Sequence, residues 1–138
     1  MSDHFPVVIH HNPDCGTSRN VVAFVEACGY APVIVRYLET GWTRPQLLAL
    51  FAAAGATPRH MLRDKHELAA ALAHADDAAI LEAMLEHPIL VNRPIVATPK
   101  GIRLCRPSET VFAILDRRPE DPLFREDGEA VVFPETGV

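Results

Sequence analysis

A chain of 138 residues, 49% hydrophobic and 22% charged, has the size of one ordinary domain and lacks the charge-rich signature of a disordered segment. Its formal net charge of −5 at pH 7 argues against a general nucleic-acid surface or a polybasic membrane anchor. No apolar run reaches the roughly 18–20 residues of a bilayer span, and Met1 to Pro6 lacks a basic start followed by an apolar segment, so a cytoplasmic protein, by default a monomer, is expected.

Val7 to His10 is β-rich, and the polar stretch His11 to Gly16 breaks it. From Thr17 the apolar residues Val21, Val22, Phe24, Val25 and Cys28 recur at helical spacing until Gly29. Val33 to Tyr37 reads as a second strand, parallel to the first because a helix connects them. Thr43-Arg-Pro-Gln46 has the form of a capping box opening a helix over Arg44 to Ala54, with Gly55 after it. Between Thr57 and His87, residues rich in Ala, Leu, Met and Glu predict two or three short helices, one capped by Asp76 or Asp77. Ile89 to Val91 and Pro94 to Thr98 read as β-rich, and Pro99-Lys-Gly101 suggests a type II turn into Ile102 to Leu104, making a hairpin. A last helix starts at Pro107-Ser-Glu109 with the apolar face Val111, Phe112, Ile114 and Leu115; the Pro- and acid-rich tail from Arg118 to Val138 predicts no regular element. The expected fold is α/β: β-α-β followed by β-β-α around one mixed sheet, an order that resembles thioredoxin and glutaredoxin. We expect a single domain with its core over about 7–115, an inserted helical lobe over about 44–87 and a tail over about 118–138.

The basic residues are mostly arginine, 11 of 13, with only Lys65 and Lys100 as lysines. Guanidinium groups bind oxyanions through paired hydrogen bonds, so a few converging arginines suffice for an anion site on an acidic protein. Cys15 stands in the strand-to-helix turn, where the helix dipole and unpaired N–H groups favour thiolate over thiol. Gly16 would let backbone N–H groups approach an anion, and the Thr17 and Ser18 hydroxyls are candidates to cap the helix or bind the same anion. A buried structural cysteine is the plain alternative. His11, four residues earlier, is a candidate to tune the thiol or to order the loop. A metal site at His10, His11 and Cys15 lacks a second ligand pair at zinc spacing. There is no nucleotide P-loop, and Val21 stands where a C-x5-R phosphate loop requires arginine, so an anion clamp must come from distant segments. Cys105 is expected to face the core, and Cys28 lies nearly 20 Å from Cys15 along the helix at about 1.5 Å per residue. A single reactive cysteine follows.

Three strings occur in order: His11-Asn-Pro-Asp-Cys-Gly-Thr-Ser-Arg-Asn20, His87-Pro-Ile-Leu-Val-Asn-Arg-Pro-Ile-Val96 and Arg103-Leu-Cys-Arg-Pro-Ser-Glu109. With Tyr37-Leu-Glu39 and Leu62-Arg63, they resemble the glutaredoxin-coupled arsenate reductases, the ArsC family of thioredoxin-like fold, from about Val7 to Leu115. The resemblance departs at Asp64, where the family usually has lysine. It implies an oxidoreductase of arsenic detoxification in which Cys15 attacks arsenate and forms a covalent arsenic adduct. Glutathione, as co-substrate, and glutaredoxin then complete reduction to arsenite, with no bound cofactor. It also implies Arg63, Arg93 and Arg106 as oxyanion-binding residues, support from His11, Asn12, Gly16, Thr17, Ser18 and Pro94, and a cis peptide before Pro94. Two alternatives share the fold: a Spx-type regulator that binds RNA polymerase, although Cys15-Gly-Thr-Ser18 lacks the C-x-x-C many of those carry, and a glutathione-dependent reductase of another substrate.

Overall fold

The β-branched run after Pro6 forms a central strand. In the computed structural model, which describes residues 5–133, β1 (Val8–His10) pairs in parallel with β2 (Val33–Val35) and antiparallel with β3 (Ile95–Thr98). β4 (Gly101–Leu104) completes a four-stranded sheet of order β2-β1-β3-β4. The helix α1 (Gly16–Ala27) connects the two parallel strands, and a 3₁₀ helix, Ser108–Ile114, packs against α1 and β4. This is the expected thioredoxin-like β-α-β plus β-β-α order. Val21, Phe24 and Val25 of α1 meet Val111, Phe112 and Ile114 over Ile9 and Val96 of the sheet. The Phe24 and Phe112 rings stack at 5.5 Å within this core.

The chain divides into two compact units: Arg36–Asn92, and the segments on either side of it, which carry all four strands. The Arg36–Asn92 unit is helical: α2 (Tyr37–Thr40), α3 (Arg44–Ala54), α4 (Pro58–Met61), a 3₁₀ helix at Glu67–Leu72, α5 (Asp77–Glu86) and a 3₁₀ turn at Pro88–Leu90. The Thr43 capping box forms in both directions: Gln46 N–H donates to Thr43 Oγ1 and Thr43 N–H to Gln46 Oε1, each at 3.3 Å. Asp76 caps α5 by accepting from Ala79 N–H at 2.8 Å. Leu47, Phe51, Ile80 and Met84 form the buried interior, and the Tyr37 and Trp42 rings stack at 4.9 Å. No helix among the described residues is long and apolar enough to cross a membrane.

Several expectations need correction. The strand expected over Val33 to Tyr37 stops at Val35, because Tyr37 is buried against Trp42 and opens α2, closed by Gly41 N–H donating to Tyr37 O at 2.8 Å. Ile89 to Val91 is no strand. Pro88 opens a 3₁₀ turn there, and Val91 makes only an isolated bridge to Leu62. The β3–β4 register pairs Thr98 with Gly101, which leaves Pro99 and Lys100 as the central turn residues. A type II turn would need a positive φ at Lys100, yet among the described residues no non-glycine residue has one; the positive φ falls on Gly101, at 147°. The last helix is 3₁₀ rather than α. As expected, the described tail, residues 118–133, forms no helix or strand; it makes an isolated bridge from Phe124 to Ala130, and Val131 N–H donates to Leu123 O at 2.9 Å. The expectations for residues 134–138 lie outside the described residues.

Candidate active site

Where β1 ends, the chain enters a loop fixed almost entirely by its own polar groups. His11 N–H continues the sheet by donating to Val35 O at 2.8 Å. Asp14 N–H then donates to Asn12 Oδ1 at 2.9 Å, and Cys15 N–H to Asn12 O at 3.1 Å. Ser18, fully buried on the first turn of α1, reaches back to accept from Asn12 N–H at 3.1 Å, and its Oγ lies 2.6 Å from His11 Nδ1. His11, Asn12 and Ser18 therefore order the loop. The helix begins at Gly16 rather than Thr17, and Cys15 is itself the N-cap, making no side-chain capping bond. The expected capping by Thr17 or Ser18 does not occur: the Ser18 hydroxyl turns to the loop, while the Thr17 carbonyl accepts from Ser108 Oγ at 3.4 Å.

The hairpin brings two cations to this loop. β3 and β4 pair Ile95 with Leu104, and one step further Cys105 N–H donates to Pro94 O at 2.9 Å. A further step sets Arg93 beside Arg106, whose Nη1 donates to Arg93 O at 3.1 Å and to Cys15 Sγ at 3.6 Å. Both arginines precede prolines through cis peptides, Arg93-Pro94 and Arg106-Pro107; the first is the isomer the fold analogy implies. Alternation sends the neighbouring Cys105 into the core, where it is 0% exposed.

Cys15 is 6% exposed. That burial pushes its thiol pKa up, but the Ser18 backbone N–H, the charge of Arg93 and the hydrogen bond and charge of Arg106 outweigh it, holding the thiol below its ordinary value. In the other two cysteines, both free thiols, burial outweighs the nearby arginine charges: it raises Cys28 and takes Cys105 up to about 12. Iodoacetamide at neutral pH should therefore alkylate native protein once, at Cys15, as read by peptide mass spectrometry. Equal labelling of Cys28 would contradict the selective activation of Cys15.

The structure thus brings together Cys15, Gly16, Ser18, His11, Asn12, Arg93, Pro94 and Arg106. Arg63 belongs to the helical unit, just after α4, where its N–H donates to Leu90 O at 2.8 Å and its carbonyl accepts from His66 N–H at 3.1 Å. Two residues beside the cysteine loop were not singled out in the sequence. Arg19 Nη1 donates to Pro13 O at 2.8 Å, and Glu126, from the tail, takes the rest of that guanidinium. Arg19 at least lies in the Cys15 string; Glu126, 107 residues away, carries no local signal.

A sheet of this order, with one cysteine capping the first helix and two arginines from the adjoining hairpin around its sulfur, defines a thioredoxin-like protein with a cation-activated thiol. A model of the ArsC family matches residues 10–114, and the chain belongs to that family. An arsenate reductase of Synechocystis sp. is 58% identical over 130 residues, 91% of this chain and 93% of that protein. The arsenate reductase of Escherichia coli K12 is 46% identical over 91% of this chain and 92% of its own length. Among solved structures, an arsenate reductase from Vibrio cholerae is 40% identical with a TM-score of 0.76, covering 82% of this chain and all of that one. These relatives do not favour the polymerase-binding alternative.

Proposed function

We propose that this chain reduces arsenate to arsenite, with Cys15 as the nucleophile and Arg63, Arg93 and Arg106 as oxyanion-binding residues. The observation that carries this reading is the placement of the Arg106 guanidinium against Cys15 Sγ, at 3.6 Å, with the charge of Arg93 acting on the same sulfur. A thiolate approaching a tetrahedral dianion meets repulsion unless cations neutralise both; these guanidiniums lower the thiol pKa and supply positive charge beside the sulfur for an incoming oxyanion. Attack forms the S–As bond while an arsenate oxygen departs, protonated, as water. His11, Asn12 and Ser18 hold the loop in place for that approach, Gly16 and Thr17 form the first turn of α1, and Pro94 sets Arg93 opposite Arg106.

Reducing arsenic(V) to arsenic(III) requires two electrons. Because Cys28 and Cys105 are buried, with thiol pKa values pushed up, we assign the electrons to an external thiol, glutathione, acting with glutaredoxin. The thiols of glutathione and glutaredoxin end as one mixed disulfide, water hydrolyses the S–As bond to Cys15, and arsenite leaves with the Cys15 thiol restored. Three free thiols accord with a reducing, cytoplasmic setting. The reading also rests on the relatives named arsenate reductases. Purified protein supplied with arsenate, glutathione, glutaredoxin, glutathione reductase and NADPH should produce arsenite, quantified by ion chromatography, at the rate NADPH is consumed. No arsenite above a protein-free control would overturn the assignment.

A further inference from the structure

The tail beyond residue 118 lies outside the segment matched by the family, 10–114, yet it returns to the nucleophile loop. Glu126 accepts from Arg19 through both carboxylate oxygens: Nε donates to Oε2 at 3.0 Å and Nη2 to Oε1 at 2.7 Å. This fork leaves the third guanidinium nitrogen, Nη1, aimed at Pro13 O, which it meets at 2.8 Å. The carboxylate rests directly over Gly16, where an added Cβ would stand 2.8 Å from Glu126 Oε1. Glu126 is itself held. Its N–H donates to Asn20 Oδ1 at 2.9 Å, Arg125 N–H donates to Glu129 O at 2.8 Å across the turn, and Leu123 and Val131 on either side pack on the core.

We propose that Glu126 and Arg19 form a clasp that positions the Pro13–Cys15 loop, making both of them positioning residues for the Cys15 nucleophile. The loop is gripped from two sides. Ser18 binds Asn12 from the buried side, and Arg19 binds Pro13 from the solvent side, but only while Glu126 fixes the plane of the guanidinium. The pair is half-exposed, at 46% for each side chain, so it adds little to global stability. Its consequence is local, since a shift of the sulfur by a fraction of an ångström moves it off the line of attack. The clasp also sets charge. Arg19 is close enough for the Cys15 thiolate to favour its protonated form, though Glu126 does so more strongly. Glu126 thus cancels a cation beside the sulfur, leaving Arg93 and Arg106 as the charges that act on it.

The inference rests on Cys15 being the reactive thiol. Arg19→Lys keeps the charge but cannot make the fork and the Pro13 bond together. Arg19→Lys and Glu126→Ala should each lower kcat/KM for arsenate about tenfold, and the double variant should lose about the same tenfold rather than about a hundredfold, because both changes open one clasp. The pH profile of Cys15 alkylation by iodoacetamide should stay in place in Arg19→Lys and move to lower pH in Glu126→Ala, where the Arg19 charge is no longer neutralised. A structural role would lower thermal stability without moving that profile. Wild-type kcat/KM in Arg19→Lys, multiplicative losses in the double variant, or an unshifted profile in Glu126→Ala would each overturn the clasp. Were the wild-type protein inactive on arsenate, the activity reading would fail, and the alkylation profiles would still decide the positioning role.

Discussion

Cys15→Ser is expected to reduce arsenate turnover by at least about a thousandfold, to the level of glutathione and glutaredoxin alone. The surroundings that activate the thiol act on a group whose ordinary pKa lies within a few units of neutrality, and the opposing burial is outweighed by the Ser18 N–H, Arg93 and Arg106. A serine hydroxyl ionises so far above this range that the same cations leave it protonated, so no anionic nucleophile forms. Stability should not follow activity. Cys15 occupies the N-cap of α1 without making a capping bond, whereas serine is among the preferred N-cap residues, so the variant should melt at or above the wild-type temperature, by up to about 1 kcal/mol in unfolding free energy. Calorimetry beside the NADPH-coupled assay separates the two effects. An active Cys15→Ser protein would remove Cys15 from the chemistry altogether, and a poorly folded one would contradict the description of Cys15 as an idle cap.

What could be read from sequence divides along physical lines. The elements that were legible are those whose signals are local. Helix α3 carries Thr43 and Gln46 three residues apart, with Pro45 between them, and that box forms as written. α1 has a long apolar stripe, Val21 to Val25, ended by Gly29. The elements that differ are set by a neighbouring proline or by packing rather than by composition. Ile89 to Val91 has strand composition, but the adjacent Pro88 opens a 3₁₀ turn. Tyr37 continues a β-rich run in sequence, while burial against Trp42 makes it the start of a helix. In the site, Cys15 was legible from its position in a turn, and Arg93 and Arg106 from their strings. Why those two arginines lie together is visible only in the β3–β4 register, which carries Ile95 opposite Leu104 and so Arg93 opposite Arg106. Glu126 is the extreme case: its partner Arg19 lies 107 residues away, and its segment has no periodicity to betray an ordered turn.

Arg106→Ala should separate two roles that one guanidinium fills. Its Nη1 donates to Cys15 Sγ and to the Arg93 carbonyl, so its loss both deprives the thiolate of a partner and loosens the neighbouring cation. Because Arg106 contributes to holding the thiol pKa down, the variant's thiol should titrate at higher pH, and alkylation by neutral iodoacetamide should be slower at pH 7. That deficit must vanish above the thiol pKa of the variant, where both proteins are fully thiolate. Arsenate behaves differently. If the guanidinium also binds the oxyanion and stabilises charge on the departing oxygen, kcat/KM should fall by about 10²–10³ and should not recover at high pH, since raising the pH restores the sulfur's charge but not the missing cation. Arg106→Lys keeps a point charge without the fork and should recover part of the rate. Parallel losses of alkylation and arsenate reduction at every pH would reduce Arg106 to a tuner of the thiol and leave the oxyanion to other residues.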